Sequence, residues 1–173
     1  MLICYWLTPA EPQKAILADL IQRLAQQYEA PLFEPHLTVR ALHAAEEPAD
    51  AKAVLEQIAG EHPPLELIST GVGFSETFTR TLFIQFADNP ALASMAADLE
   101  HALTSPSPYE LTPHVSLIYK DLEDSEKRLL AASLDVPGVI TFDTLKVIAA
   151  PDTITSGKDI EQLREVASAT LGR

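Results

Sequence analysis

At 173 residues, 47% apolar and 21% charged, the chain is long enough for one well-buried domain and too apolar to be disordered. Twelve basic against 25 acidic side chains give a net charge of −13, which argues against binding a long nucleic-acid backbone, because that needs lysines and arginines to neutralise phosphates. A small anion remains accessible to one arginine and a few hydroxyls. Cys4 is the only cysteine, so neither an intrachain disulfide nor a thiolate metal cluster can form. No run approaches the roughly 18 apolar residues of a membrane span. The opening Met1-Leu2-Ile3-Cys4-Tyr5-Trp6-Leu7 has no basic leader, and the expectation is a cytoplasmic monomer with no membrane partner.

In chain order, Leu2 to Leu7 predicts a short central strand. From Glu11 to Tyr28, Ile16, Leu17, Leu20, Ile21 and Leu24 recur at helical spacing, and Ala30-Pro31 stops that helix. Leu32 to Leu42 predicts a strand. Glu46-Glu47-Pro48-Ala49-Asp50 places acids at the positive end of a helix that buries Val54, Leu55 and Ile58 and stops at Gly60 and Pro63-Pro64. Leu65 to Ser69 is β-prone. Gly71 to Phe78 then breaks the period before Thr81 to Ala87 resumes a strand. This break holds Phe74 and Phe78 and precedes Arg80; its rings could stack on a nucleobase or simply anchor a hairpin connection.

Asn89 and Pro90 form an N-cap and N1 pair for a helix carrying Leu92, Met95, Ala96, Leu99 and Leu103, which the loop Ser105-Pro106-Ser107-Pro108 ends. Pro113 to Tyr119 is again β-prone. Asp121 to Leu134 predicts an acid-first helix, Val139 to Ala150 a strand broken near Asp143, and Asp159 to Leu171 a last helix with Ile160, Leu163, Val166 and Ala167 inward. Nothing marks a domain boundary, so residues 1–173 are read as one domain.

Two of the predicted strands carry the same pattern. Pro35-His36-Leu37-Thr38 and Pro113-His114-Val115-Ser116 each place an imidazole and a hydroxyl roughly 7 Å apart on one strand face, with the aliphatic residues opposite. Their surroundings repeat too: an apolar run, a proline-marked break and a helix precede each. A duplicated strand-helix-strand unit follows, and packing about a pseudo-twofold axis would bring both His-hydroxyl faces to one cleft. Two imidazoles there form a general base and general acid pair, and two hydroxyls can donate to non-bridging phosphate oxygens. The set suits in-line hydrolysis of a cyclic phosphodiester, with no metal or other cofactor. No spacing supplies the third and fourth ligands of a metal site. Nothing puts Ser116 on a nucleophile elbow. His43, His62 and His101 are assigned to the surface, and Ser156-Gly157-Lys158 to a turn.

The two tetrads, extended as Phe33-Glu34-Pro35-His36-Leu37-Thr38-Val39 and Pro113-His114-Val115-Ser116-Leu117-Ile118-Tyr119, resemble the signature of the two-histidine phosphoesterases and especially their plant and fungal cyclic phosphodiesterase branch. Tyr5-Trp6-Leu7-Thr8-Pro9 is similar to that branch's opening strand. The resemblance, over residues 1–150, implies a bilobal α+β fold with antiparallel sheets lining a central cleft and helices outside. It also implies metal-free hydrolysis of a small cyclic-phosphate nucleotide, catalytic roles for His36, Thr38, His114 and Ser116, and a phosphate-site role for Tyr119. Period 2 puts Tyr119 on the wrong face, so a bulge or strand end is needed to bring it in. An RNA end-processing or ligase-like member and a nucleotide-binding module without catalysis are the competing readings. The first would show a basic stripe, which this chain lacks.

Overall fold

The computed structural model describes residues 1–43, 48–103 and 108–172. Its elements are β1 (Leu2–Pro9), α1 (Gln13–Tyr28), β2 (Leu37–His43), α2 (Pro48–Glu61), β3 (Leu65–Phe74), β4 (Leu82–Phe86), α3 (Pro90–Ala102), β5 (His114–Ile118), α4 (Asp124–Ser133), β6 (Val139–Ala150), α5 (Gly157–Ile160) and β7 (Arg164–Thr170), with a 3₁₀ turn at Phe78–Arg80. All strand pairs are antiparallel, in the order β2-β1-β6-β3-β4-β5, with β7 also on β6.

The duplication is visible in the topology. β1-α1-β2 and β4-α3-β5 each end with the second strand antiparallel to the first, at opposite ends of the sheet. β3 joins the halves: Leu65–Ile68 pair with β6, and Ser69–Phe74 pair with β4. The two end strands, β2 and β5, nevertheless approach each other, so the sheet folds back on itself. Each helix crosses over. α1 packs on β5 as well as β1, and α3 packs on β2, which ties the halves together.

Alternation along the strands separates core from cleft. Ile3, Tyr5 and Leu7 of β1, Leu37 and Val39 of β2, and Val115 and Leu117 of β5 join Leu17, Leu20, Ile21 and Leu24 of α1 in the main core. Each large aliphatic side chain buried there contributes on the order of 1.5–3 kcal/mol. Cys4 and Trp6 face the other way, into a small second cluster with Ile148 and Ala150. β1 is therefore buried on both faces, as its unbroken apolar run requires. The Asn89 side chain accepts from the Leu92 N–H at 3.0 Å, and Pro90 opens α3, as the sequence indicates.

The structure departs from the sequence reading at several points. β2 begins only at Leu37, because Pro31 and Pro35 cannot donate to a ladder; His36 is presented by the preceding loop. β3 runs through the expected break as far as Phe74, shifting register between Ser69 and Gly71, where φ of 122° suits only glycine. β6 is continuous, and the irregularity near Asp143 is a register shift against β1. The helix expected over Asp159 to Leu171 is a four-residue turn followed by β7. β3 leaves the edge of β6 at Phe142, so the backbone from Thr144 to Ala149 needs a new partner, and that requirement outweighs an ambiguous apolar spacing. His62 is buried, not on the surface: its Nε2 meets Asp98 at 3.0 Å and links α2 to α3. Glu46, Glu47 and most of the Ser105-Pro108 loop lie outside the described residues.

Candidate active site

His36 and His114 are oriented alike. The Nδ1–H of His36 donates to the Glu34 carbonyl at 2.6 Å, and that of His114 donates to the Thr112 carbonyl, also at 2.6 Å. A carbonyl can only accept, so Nδ1 is the protonated nitrogen of each neutral ring and Nε2 carries the lone pair. Both imidazoles line one cavity of about 290 Å³, together with Thr38, Ser116, Tyr119, Thr79 and Tyr109. Tyr119 enters it because the register shifts between Leu82 and Phe83 and β5 stops at Ile118. Its hydroxyl lies 3.5 Å from Nε2 of His36.

Each hydroxyl lies across the ladder from an aromatic residue: Thr38 pairs with Trp6, and Ser116 with Phe83. Trp6 stacks flat on His36, with centroids 3.5 Å apart and planes 10° apart. Phe83 meets His114 edge-on at 5.5 Å and 71°. The Ser116 hydroxyl donates to the Thr79 carbonyl at 2.7 Å.

The environments set the charges. Burial pushes the pKa of His36 down to about 4, against the Glu34 carbonyl and with help from His114 and Lys146. Burial also lowers His114, opposed by the Thr112 carbonyl and reinforced by Arg80. Burial raises Tyr119 well above the ordinary phenol range and pushes Tyr109 and Cys4 up to about 12. All three enter neutral. Glu34 remains ionised: burial acts to raise it, but bonds from Lys146 at 2.8 Å and Lys14 at 2.9 Å prevail.

The five residues His36, Thr38, His114, Ser116 and Tyr119 come together, whereas Phe74 and Phe78 line no part of this cavity. Phe74 packs on the core beneath the guanidinium of Arg128, and Phe78 lies beside Tyr119 at 6.1 Å. Trp6, Thr79 and Tyr109 were missed as lining residues. Only Trp6 had a readable signal, as the aromatic of the strand preceding the first tetrad. The cavity is also lined by Leu2, Cys4 and Ala41, and by Ile154, Ile160 and Leu163 of the segment leading to β7. Ser156 caps α5 through Asp159 and stands apart from the histidines. Among the described residues no three His, Cys, Asp or Glu side chains are grouped as metal ligands, and no helix is long and apolar enough to cross a membrane.

A seven-stranded antiparallel sheet that brings two His-x-Thr/Ser pairs to one cleft defines a two-histidine phosphoesterase fold. The chain belongs to the 2′-5′ RNA ligase superfamily, whose model matches residues 8–152. It is 25% identical over 177 residues to the cyclic phosphodiesterase of Arabidopsis thaliana, covering 96% of this chain and 93% of that protein. E. coli LigT complexed with 3′-AMP shares the fold at a TM-score of 0.61 and 16% identity, over 99% of this chain and 98% of that one. TT0787 of Thermus thermophilus does so at 0.63 and 14%, with the same coverage.

Proposed function

We propose that the protein, as one bilobal domain, hydrolyses a cyclic phosphodiester on a small nucleotide to a phosphomonoester, the substrate being ADP-ribose 1″,2″-cyclic phosphate or a ribonucleoside 2′,3′-cyclic phosphate. The observation that carries this reading is the pair of imidazoles. Each gives Nδ1–H to the carbonyl two residues earlier, each has a hydroxyl two residues later, and both line one cavity. The Arabidopsis relative is a cyclic phosphodiesterase, and E. coli LigT was crystallised with 3′-AMP and with ATP.

His36 is the base. Buried against Trp6 it stays neutral, so Nε2 can take a proton from water as the water oxygen attacks phosphorus. His114 is the acid. It is the more exposed ring, and an incoming phosphate anion favours its charged form, so its Nε2–H can protonate the departing alkoxide as the ring P–O bond breaks. The product carries one new P–O bond and one free hydroxyl. His36 ends protonated and His114 neutral, and exchange with solvent resets both. Thr38 and Tyr119 donate to non-bridging oxygens, and Ser116 does so after turning from the Thr79 carbonyl. These groups complete the reaction without a metal.

Incubation with 2′,3′-cyclic nucleotides in the presence of chelator is expected to release monophosphate. Binding without turnover would leave a nucleotide-binding module instead. The superfamily's name describes joining, which by microscopic reversibility could use the same pair. With 25 acidic against 12 basic side chains, a small substrate is the better fit. Formation of joined product from RNA ends bearing a cyclic phosphate and a 5′-hydroxyl would reverse that preference.

A further inference from the structure

Among the described residues the cavity offers donors for a phosphate but is lined by no lysine or arginine, in a protein of net charge −13. Among the described residues, Lys146 and Arg80 are the cations whose charge acts on the histidines. Lys146 faces the His36 side and is fully engaged, with Glu34 at 2.8 Å and Glu165 at 2.9 Å. Arg80 lies on the His114 side, just behind the lining residue Thr79 rather than in the cavity wall itself. Among the described residues it has no acidic partner, and its buried Nε–H finds no acceptor. Its guanidinium lies over the Phe83 ring, 5.5 Å from the centroid, and the same ring meets His114 edge-on at 5.5 Å. Its charge reaches both His114 and Tyr109, which line the cavity. A buried donor without an acceptor is unfavourable and calls for a water or a ligand.

The chain segment carrying Arg80 is held in place from several directions. The Ser75 N–H donates to the Thr81 carbonyl at 3.1 Å, and the Ser75 hydroxyl donates to the Arg80 carbonyl at 2.6 Å. The buried Lys127 donates to the Ser75 carbonyl at 3.3 Å and to Glu76 at 2.7 Å, and pairs with Asp124 at 3.0 Å. Beside Arg80, the Thr79 carbonyl takes the Ser116 hydroxyl. A guanidinium with little backbone freedom, stacked on an aromatic face and left without a carboxylate, is preorganised for an incoming anion.

We propose that Arg80 is a further phosphate-binding residue, its guanidinium taking a non-bridging oxygen of the substrate phosphate on the His114 side. This rests on the phosphodiesterase reading for its substrate but not for its test. Binding of inorganic phosphate, followed by calorimetry, needs no turnover. Arg80→Ala and Arg80→Gln are expected to weaken it by on the order of 10–100-fold, as loss of a charge-assisted contact requires. Arg80→Lys should keep part of the affinity, and added guanidinium ion should restore part of it to Arg80→Ala. With cyclic nucleotide the loss should fall mainly on KM, and the alkaline limb of kcat/KM should move to higher pH once the cation beside His114 is gone. Wild-type affinity for phosphate in both variants would overturn the assignment. So would a loss that neither lysine nor guanidinium repairs, with the alkaline limb unmoved, since that is the signature of lost packing on Phe83. If wild-type protein fails to turn over cyclic nucleotide, the phosphodiesterase reading falls, and phosphate calorimetry still decides Arg80.

Discussion

The two halves of the site share a backbone plan and differ in everything around it. In one, His36 and Thr38 sit across from Trp6; in the other, His114 and Ser116 sit across from Phe83. Both imidazoles use the same carbonyl, two residues back, to fix the tautomer. The first ring is buried and stacked flat on an indole, beside a lysine already neutralised by two carboxylates. The second is more open, touches its aromatic edge-on and has nearby an arginine that, among the described residues, meets no carboxylate. A duplicated strand pattern can thus supply both a base and an acid, because the neighbours rather than the motif decide which ring holds a proton.

The comparison is most directly broken by removing a ring. His36→Ala or His114→Ala is expected to lower kcat by roughly 10²–10⁴-fold with a smaller change in KM, measured as steady-state turnover of a cyclic nucleotide. The double variant should be little worse than either single one, because base and acid act as a unit. Losses that simply multiply would mean that the two rings work independently.

The hydroxyls come next. Thr38→Ala and Ser116→Ala are each expected to cost on the order of 10–10³-fold in kcat, and Ser116→Ala should be the milder, because its hydroxyl must first leave the Thr79 carbonyl. An equal or larger effect at Ser116 would show that this bond is already broken in the working enzyme.

A pH profile sharpens the assignment further. The base must be neutral, so kcat/KM rises as pH passes about 4, and the acid must be charged, so it falls as pH passes the value for His114, which lies below 6.5. The optimum in the free enzyme is therefore acidic. Trp6→Ala admits water to His36, which should raise its pKa and move the acid limb upward while the alkaline limb stays in place. Movement of the alkaline limb instead would exchange the roles of the two rings.

Much of this was legible in the sequence because it depends on period and repetition. The tetrads, the helix of α1, the Asn89-Pro90 cap and the duplication are all sequence patterns, and once the family resemblance pointed to Tyr119, strand geometry called for a bulge or a strand end to admit it. Three things were not legible. β7 forms because β3 leaves an edge of β6 open, which is a tertiary fact. Residues 30–36 carry the apolar content of a strand, but two prolines deny them a ladder. The asymmetry of the histidines comes from Trp6, 30 positions before His36, and from the burial imposed where the sheet folds back on itself, neither of which a tetrad encodes.

The smallest expected effect is on stability, and it again separates the two halves. His36 titrates at about 4 in the folded protein and near 6.5 when unfolded, so between those values the unfolded chain binds a proton that the folded chain refuses. Stability is therefore fully present above pH 6.5 and falls as pH drops toward 4, by at most about 3 kcal/mol from this one ring. His36→Gln removes the titrating group and should flatten that part of the curve, as read by urea unfolding at about pH 7 and about pH 4.5. Carboxylates with lowered values, such as Glu34, also lose their contribution in acid, but they are present in both proteins and cancel in the comparison. His114→Gln should flatten the curve less, because the more open ring gives up less hydration on folding. Identical slopes for wild type and His36→Gln would mean that the ring beside Trp6 stays as wet as in the unfolded chain, and the base assignment would lose its physical footing.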